Sequence, residues 1–102
     1  YIPLFKVTPI YPRRAQERGI MGYAIVAFTI TETGTVEVVV PLEGYCGDPR
    51  DETTDFRACS IFNSAASRAA LKLKYKPKIV DGNAVKVFDV PHKFTFILED
   101  DT

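Results

Sequence analysis

The sequence has 102 residues, of which 46% are hydrophobic and 25% are charged, a balance typical of one globular domain rather than of a disordered or fibrous chain. Its 13 basic and 13 acidic residues cancel, which argues against nucleic acid as a partner, because proteins that bind nucleic acid usually carry a dominant basic face. The length is that of one domain, so we predict a single domain over residues 1–102. No apolar stretch approaches the roughly 20 residues of a membrane-spanning helix.

The chain is predicted to begin with an extended segment followed by a short helix. Residues 1–10 contain Pro3 and Pro9, which disfavour helical conformation in the residues before them. Pro12 is tolerated in the first turn of a helix, and Gly19 suits the end of one. We therefore expect an extended lead-in over residues 1–10 and a helix of about two turns after it.

A β-hairpin is predicted for residues 22–40. Alternating hydrophobic residues in the first strand define one inward face, made of Ala24, Val26, Phe28 and Ile30. The residues that follow, Glu32, Thr33 and Gly34, favour a turn. The second strand is then expected to end at Pro41, with Glu37 outward and with three inward valines, Val36, Val38 and Val40.

Two cysteines, Cys46 and Cys59, lie at the ends of a polar insert. We predict a disulfide between them, which indicates an oxidising compartment, although the spacing alone leaves two free thiols open. A metal site is disfavoured because the chain has one histidine and the acids of the insert do not follow a calcium-loop pattern.

A second helix is predicted to open near Ser60 or somewhat earlier and to stop before Pro77. Its apolar residues recur at helical spacing and form one stripe, made of Phe62, Ala65, Ala66, Ala69 and Leu73. Four lysines, at positions 72, 74, 76 and 78, lie near its end. They could bind an anionic partner, but solvated cations that complement the helix dipole are the simpler interpretation.

One long final strand is predicted from Ala84 to Leu98, after a turn at Asp81, Gly82 and Asn83. The alternation of its apolar residues changes parity, which predicts a β-bulge near Phe88 or Asp89. Pro91 has no N–H to give to a neighbour, so the strand is expected at a sheet edge. The predicted fold is α+β, with two helices packed on one face of a three-stranded antiparallel sheet.

The sequence predicts neither a catalytic centre nor a cofactor, and an enzyme is disfavoured. His92 is the only histidine, and no nucleophile motif or phosphate-binding glycine loop is present. An edge strand, however, carries a free row of backbone groups. Such a row can accept an extended peptide, or it can simply be protected by charges and proline.

Residues from both halves of the chain resemble the TonB C-terminal domain family. The first half carries Tyr11, Pro12 and Ala15, then the alternating pattern from Gly22 to Ile30, and Gly34 with Val36. The second half carries alanines in residues 65–70, the block from Leu73 to Pro77, the turn at Asp81 and Gly82, and residues 90–96. Thr8 departs from the glutamine that the family often has there, and the cysteine insert is longer than the common loop.

The resemblance implies a periplasmic domain of an energy transducer anchored in the inner membrane of a Gram-negative bacterium. An ExbB/ExbD-type motor would act on the anchor. The domain would capture the extended N-terminal box peptide of an outer-membrane TonB-dependent transporter. The box would add a strand beside the last strand of the domain, and the transmitted force would drive uptake of iron chelates or cobalamin. The implied partner-binding residues are Thr8, Pro9, Ile10, Tyr11, Val90, Pro91, His92, Lys93, Phe94, Thr95 and Phe96.

Three alternatives stay open at this point. A TolA-like domain has a related architecture and serves envelope integrity. A TonB-like module can also be the sensory domain of a membrane-bound regulatory protein. An open edge strand can, in addition, pair two copies of the chain into a homodimer.

Overall fold

The structure is a computed structural model that describes residues 1–99, so the last three residues of the predicted domain lie outside the described part. The secondary-structure elements, in chain order, are α1 (Arg13–Glu17), β1 (Gly22–Ile30), β2 (Val36–Cys46), β3 (Arg57–Ala58), α2 (Asn63–Ala70), β4 (Lys78–Val80), β5 (Asn83–Val85) and β6 (Val87–Phe96).

The main sheet is antiparallel and has the strand order β3-β2-β1-β6. Helix α2 packs against β1 and β2 on one face, and β4 and β5 form a separate hairpin. The α+β class with an antiparallel sheet and two helices is thus confirmed. The predicted three strands become four because the short β3 pairs with the end of β2.

Strand β1 forms the centre of the hydrophobic core. Its alternation is confirmed, because the predicted inward residues Ala24, Val26, Phe28 and Ile30 are all buried. The turn between β1 and β2 contains Gly34 at a φ of 85°, a left-handed conformation that favours glycine. The carbonyl of Gly34 accepts a 2.8 Å hydrogen bond from the backbone N–H of Tyr75, which joins this turn to the segment after α2.

The prediction for β2 was wrong in its end and in two of its inward residues. The strand continues through Pro41 to Cys46, and Val38 and Val40 are 69% and 49% exposed. Its pairing with β1 has two register shifts, and Val38 has a φ of 54°. A bulge at Val38 reverses the alternation, so Val39 packs against the core instead.

Helix α2 begins at Asn63 and ends at Ala70. The sequence pattern predicted that it would continue until just before Pro77. The predicted stripe is confirmed for Phe62, Ala66, Ala69 and Leu73, whereas Ala65 is half-buried. The chain leaves the helix early because Leu73 and Tyr75 are both buried beyond it. Tertiary packing therefore outweighs the local helix propensity of residues 71–76.

The last strand is divided, which corrects the single run predicted from Ala84 to Leu98. Residues 83–85 pair with β4, and Lys86 separates them from β6. The bulge is confirmed, because Asp89 has a φ of 55° and the pairing of β6 with β1 shifts between Phe28 and Ile30.

Cys46 and Cys59 form a disulfide, with Cα atoms 5.7 Å apart, as predicted. The bond joins the end of β2 to the segment that enters α2. It closes the insert between residues that are 13 positions apart in the sequence. The exposed insert is therefore fixed at both ends to the folded domain.

Replacing both cysteines by serine is expected to lower the free energy of unfolding by about 3 kcal/mol, because the unfolded chain regains the freedom that the closed loop removes. Guanidinium unfolding of the oxidised protein and of the Cys46→Ser, Cys59→Ser variant measures the difference. A reductant should lower the midpoint of the oxidised protein and leave that of the variant unchanged. An unchanged midpoint in the oxidised protein would contradict the prediction.

Candidate functional site

Strand β6 lies at one edge of the main sheet, as the position of Pro91 predicted. Within residues 1–99, β6 pairs with β1 on one side and with no strand on the other. An unpaired edge presents a row of backbone N–H and C=O groups that can join another extended chain.

The direction of these backbone groups follows from hydrogen bonds at the two ends of β1. The carbonyl of Met21 accepts from the N–H of Gly47 at 2.8 Å, and the N–H of Thr31 donates to the backbone carbonyl of Thr35 at 2.8 Å. Odd-numbered residues of β1 therefore bond towards β2, and even-numbered residues face β6, because alternate residues bond to opposite sides.

The same alternation divides β6 into a paired set and a free set of residues. The residues opposite the even positions of β1 are Val90, His92, Phe94 and Phe96, whose backbone groups face β1. Pro91, Lys93 and Thr95 consequently direct their backbone groups away from the sheet. The free edge offers the N–H groups of Lys93 and Thr95, while Pro91 offers only its carbonyl.

The side chains of β6 divide in the same way. Val90, Phe94 and Phe96 are at most 4% exposed and belong to the core, whereas Pro91, Lys93 and Thr95 are exposed. The Lys93 ammonium lies 4.3 Å from the centre of the Tyr23 ring on the sheet face opposite α2. Tyr23 also contacts Tyr45 and Phe56, an aromatic group that the sequence analysis did not identify.

The lead-in runs beside this edge. Residues 2–9 and residues 92–95 line one groove with a volume of about 840 Å³, which we call the edge groove. Thr8 and Pro9 form part of its wall. The lead-in is held by the N–H of Leu4, which donates to the carbonyl of Lys74 at 2.8 Å.

Ile10 and Tyr11, the other two predicted contact residues of the lead-in, lie away from the edge groove. The Ile10 side chain is 77% exposed and lines a second groove, beside α2. The Tyr11 ring packs edge-on against Phe62 and Phe96 at centroid distances of 5.8 Å. Its hydroxyl donates to the carbonyl of Ile20, and burial raises the pKa of Tyr11. The ring of Tyr11 therefore stabilises the packing of the lead-in on the core.

His92 is half-buried in the wall of the edge groove. Its ring lies 4.6 Å from that of Phe94, and burial lowers the pKa of His92 below the ordinary value of 6.5. The charged residues that line the same groove, Lys6 and Lys93, are both cationic. The neutral imidazole is the form that this site favours.

The fold is expected to lose stability as the pH falls below about 7, because His92 takes up a proton more readily in the unfolded chain. The loss begins near 6.5, the ordinary pKa of the group, and is complete below its lowered folded pKa. His92→Gln should remove this part of the slope in guanidinium unfolding measured at each pH. An equal slope in the variant would contradict the prediction.

The carboxylates with a shifted pKa do not interfere with that measurement. Hydrogen bonds from Arg50 and Thr53 lower the pKa values of Asp48 and Asp51, respectively, below 3.8. Both groups are therefore ionised throughout the range from about pH 7 to 5.

The described part of the chain has no group of three or more His, Cys, Asp or Glu side chains arranged to hold a metal ion. None of the helices within residues 1–99 has the length and apolar character needed to cross a bilayer.

Residues 7–44 match the family model described as the C-terminal region of the Gram-negative bacterial TonB protein. The chain is also 31% identical to Protein TonB of Pseudomonas aeruginosa over 83 residues, which cover 81% of this chain. The chain spans 21% of the length of that relative.

Two solved structures are similar over almost all of the chain. The solution structure of the TonB C-terminal domain of Pseudomonas aeruginosa matches with a TM-score of 0.67 and 30% identity, covering 99% of this chain and 89% of that one. The TonB2 protein of Vibrio anguillarum matches with a TM-score of 0.60 and 30% identity, covering 98% and 83%. The sequence identity, the coverage and the shared fold together show that this chain belongs to the TonB C-terminal domain family.

Proposed function

We propose that the chain is the periplasmic peptide-binding domain of a TonB-like energy transducer. It captures the N-terminal box of an outer-membrane transporter and performs no catalysis. The observation that supports the proposal best is the free edge of β6, where Pro91, Lys93 and Thr95 direct their backbone groups outward. Membership of the TonB family favours this function over a TolA-like role.

The box peptide adds an antiparallel or parallel strand beside β6. The N–H groups of Lys93 and Thr95 donate to peptide carbonyls, and the outward carbonyls of β6 accept peptide N–H groups. The edge groove receives those peptide side chains that point towards the lead-in, where Thr8 and Pro9 line the wall. Because backbone groups supply most contacts, transporters with different box sequences can use the same edge.

Energy reaches the transporter through this strand. In the proposal, an ExbB/ExbD-type motor driven by the proton-motive force acts on an inner-membrane anchor outside residues 1–102. The domain transmits the resulting force to the box, and the transporter admits its cargo, a siderophore or another iron chelate, or cobalamin. A homodimer paired through β6 would occupy the same edge and compete with the box.

The direct test is a nuclear magnetic resonance titration of the ¹⁵N-labelled chain with peptides from transporter N-terminal boxes. The amide shifts of Lys93, Thr95 and Thr8 are expected to change most, because these groups lie at the free edge or in the wall of the edge groove. A box peptide with proline substituted at its centre is the matched control and should cause much smaller shifts. Largest shifts at residues 76–78 or in the cysteine insert would contradict strand addition.

A further inference from the structure

A second groove lies between the lead-in, α1 and α2, with a volume of about 1250 Å³, and we call it the basic groove. One wall is formed by residues 8–14, and the other by the exposed side of α2 with the residues that follow it. The groove is open to solvent and large enough for a segment of polypeptide. The proposed strand addition at β6 does not use it.

The charges of this groove have one sign. Arg13 and Arg14 line it from α1, Arg68 lines it from α2, and Lys72 lies just beyond that helix. No acidic residue within residues 1–99 belongs to its lining. Over residues 1–99, none of the four cations makes an ion pair. Like charges around a concavity reinforce one another, so the groove attracts an anionic group although the chain carries no net charge.

Apolar side chains add a second kind of contact. Ile10 and Leu71 are 77% and 57% exposed and both line the basic groove. An exposed apolar residue beside unpaired cations is suited to a ligand that combines negative charge with hydrophobic side chains. A simple anion would leave these two side chains in water.

We propose that the basic groove binds an acidic segment of a partner protein, in which hydrophobic residues alternate with Asp or Glu. The carboxylates meet Arg13, Arg14, Arg68 and Lys72, and the hydrophobic residues cover Ile10 and Leu71. A polypeptide can enter between the two walls, whereas the flat surface of a bilayer cannot. Thr8 and Pro9 line both grooves, so the acidic segment lies next to a peptide bound at β6.

In the test, the 102-residue chain is titrated into a fluorescein-labelled synthetic peptide in which glutamate alternates with leucine. Binding is measured by the fluorescence anisotropy of the peptide. The peptide is expected to bind, and the Arg14→Glu, Arg68→Glu variant should bind it at least about tenfold more weakly. A peptide with lysine in place of glutamate should not bind. A peptide with serine in place of leucine should bind more weakly than the parent peptide.

The matched control is the Lys76→Glu, Lys78→Glu variant, which makes the same change in net charge outside the groove. Its affinity should change by less than about twofold. Equal weakening in both double variants would show that only net charge matters and would overturn the proposal. All four substituted side chains are exposed, so both variants are expected to fold. Thermal unfolding checks that they do.

Two further measurements distinguish other occupants. Vesicles of phosphatidylglycerol should not displace the peptide, and full displacement would identify an anionic membrane surface instead. Replacing Glu99, Asp100 and Asp101 by the corresponding amides should leave the affinity for the peptide unchanged. A rise of about tenfold would indicate that this acidic segment of the chain occupies the groove, and it would overturn the proposal.

Discussion

Replacing Phe28 by alanine is expected to lower the free energy of unfolding by about 3–5 kcal/mol. Phe28 is 2% exposed, lies on the central strand β1, and has its ring centre 5.9 Å from that of Tyr75. Removal of the ring leaves a cavity that the flanking strands β2 and β6 cannot fill without breaking their pairing. Guanidinium unfolding followed by circular dichroism measures the change.

Glu37→Ala is the control for this prediction, because Glu37 lies on the opposite face of the sheet. Its carboxylate is 2.9 Å from the Lys86 ammonium, but both side chains are more than 40% exposed. Loss of such an ion pair should cost less than about 1 kcal/mol. Equal losses for Phe28→Ala and Glu37→Ala would mean that the inward face of the hairpin is assigned wrongly.

Substitution of proline at Thr95 is expected to weaken binding of a transporter box peptide by at least about tenfold. Thr95 carries one of the two N–H groups at the free edge of β6, and Pro91 already lacks one. The proline ring also occupies the space that the added strand needs. Since the backbone N–H of Thr95 points away from β1, the pairing of β6 with β1 should survive. Fluorescence anisotropy with a labelled box peptide measures the affinity.

Thr95→Val separates the amide from the side chain, because valine keeps the N–H and the branched shape of threonine. Its affinity for the box peptide should stay within about twofold of that of the unchanged chain. Lys93→Ala should also have a modest effect, since it mainly alters charge. A loss with Thr95→Val as large as that with Thr95→Pro would show that the side chain, and not the backbone, carries the interaction.

Regular alternation made much of the sheet predictable. The inward face of β1 and the edge position of β6 follow from period-two patterning and from the missing N–H of Pro91. The bulge at Val38 was not predictable, because three consecutive valines, residues 38–40, fit either face. The early end of α2 depends on the burial of Tyr75 beside Phe28, a contact between residues distant in sequence.

The two segments of the candidate site were predictable from the sequence. The directions in which their backbone groups and side chains point were not. The resemblance indicated residues 8–11 and 90–96 without separating backbone contacts from core side chains. Tyr11 proved to pack on Phe62 and Phe96, which no local pattern indicates. The basic groove was not predicted either, since Arg14 and Arg68 share a groove only after α1 and α2 pack near each other.

The free edge of β6 is short, and this limits how long any strand can remain bound to it. Pro91 removes one N–H, and the bulge at Asp89 interrupts the alternation just before it. Only a few hydrogen bonds, each contributing about 0.5–1.5 kcal/mol, can form between Pro91 and the end of the strand. A ladder with few hydrogen bonds binds weakly. Because affinity differences between related complexes lie mostly in the off-rate, the bound strand is expected to dissociate rapidly. In the proposed function, one domain then leaves one transporter and engages another.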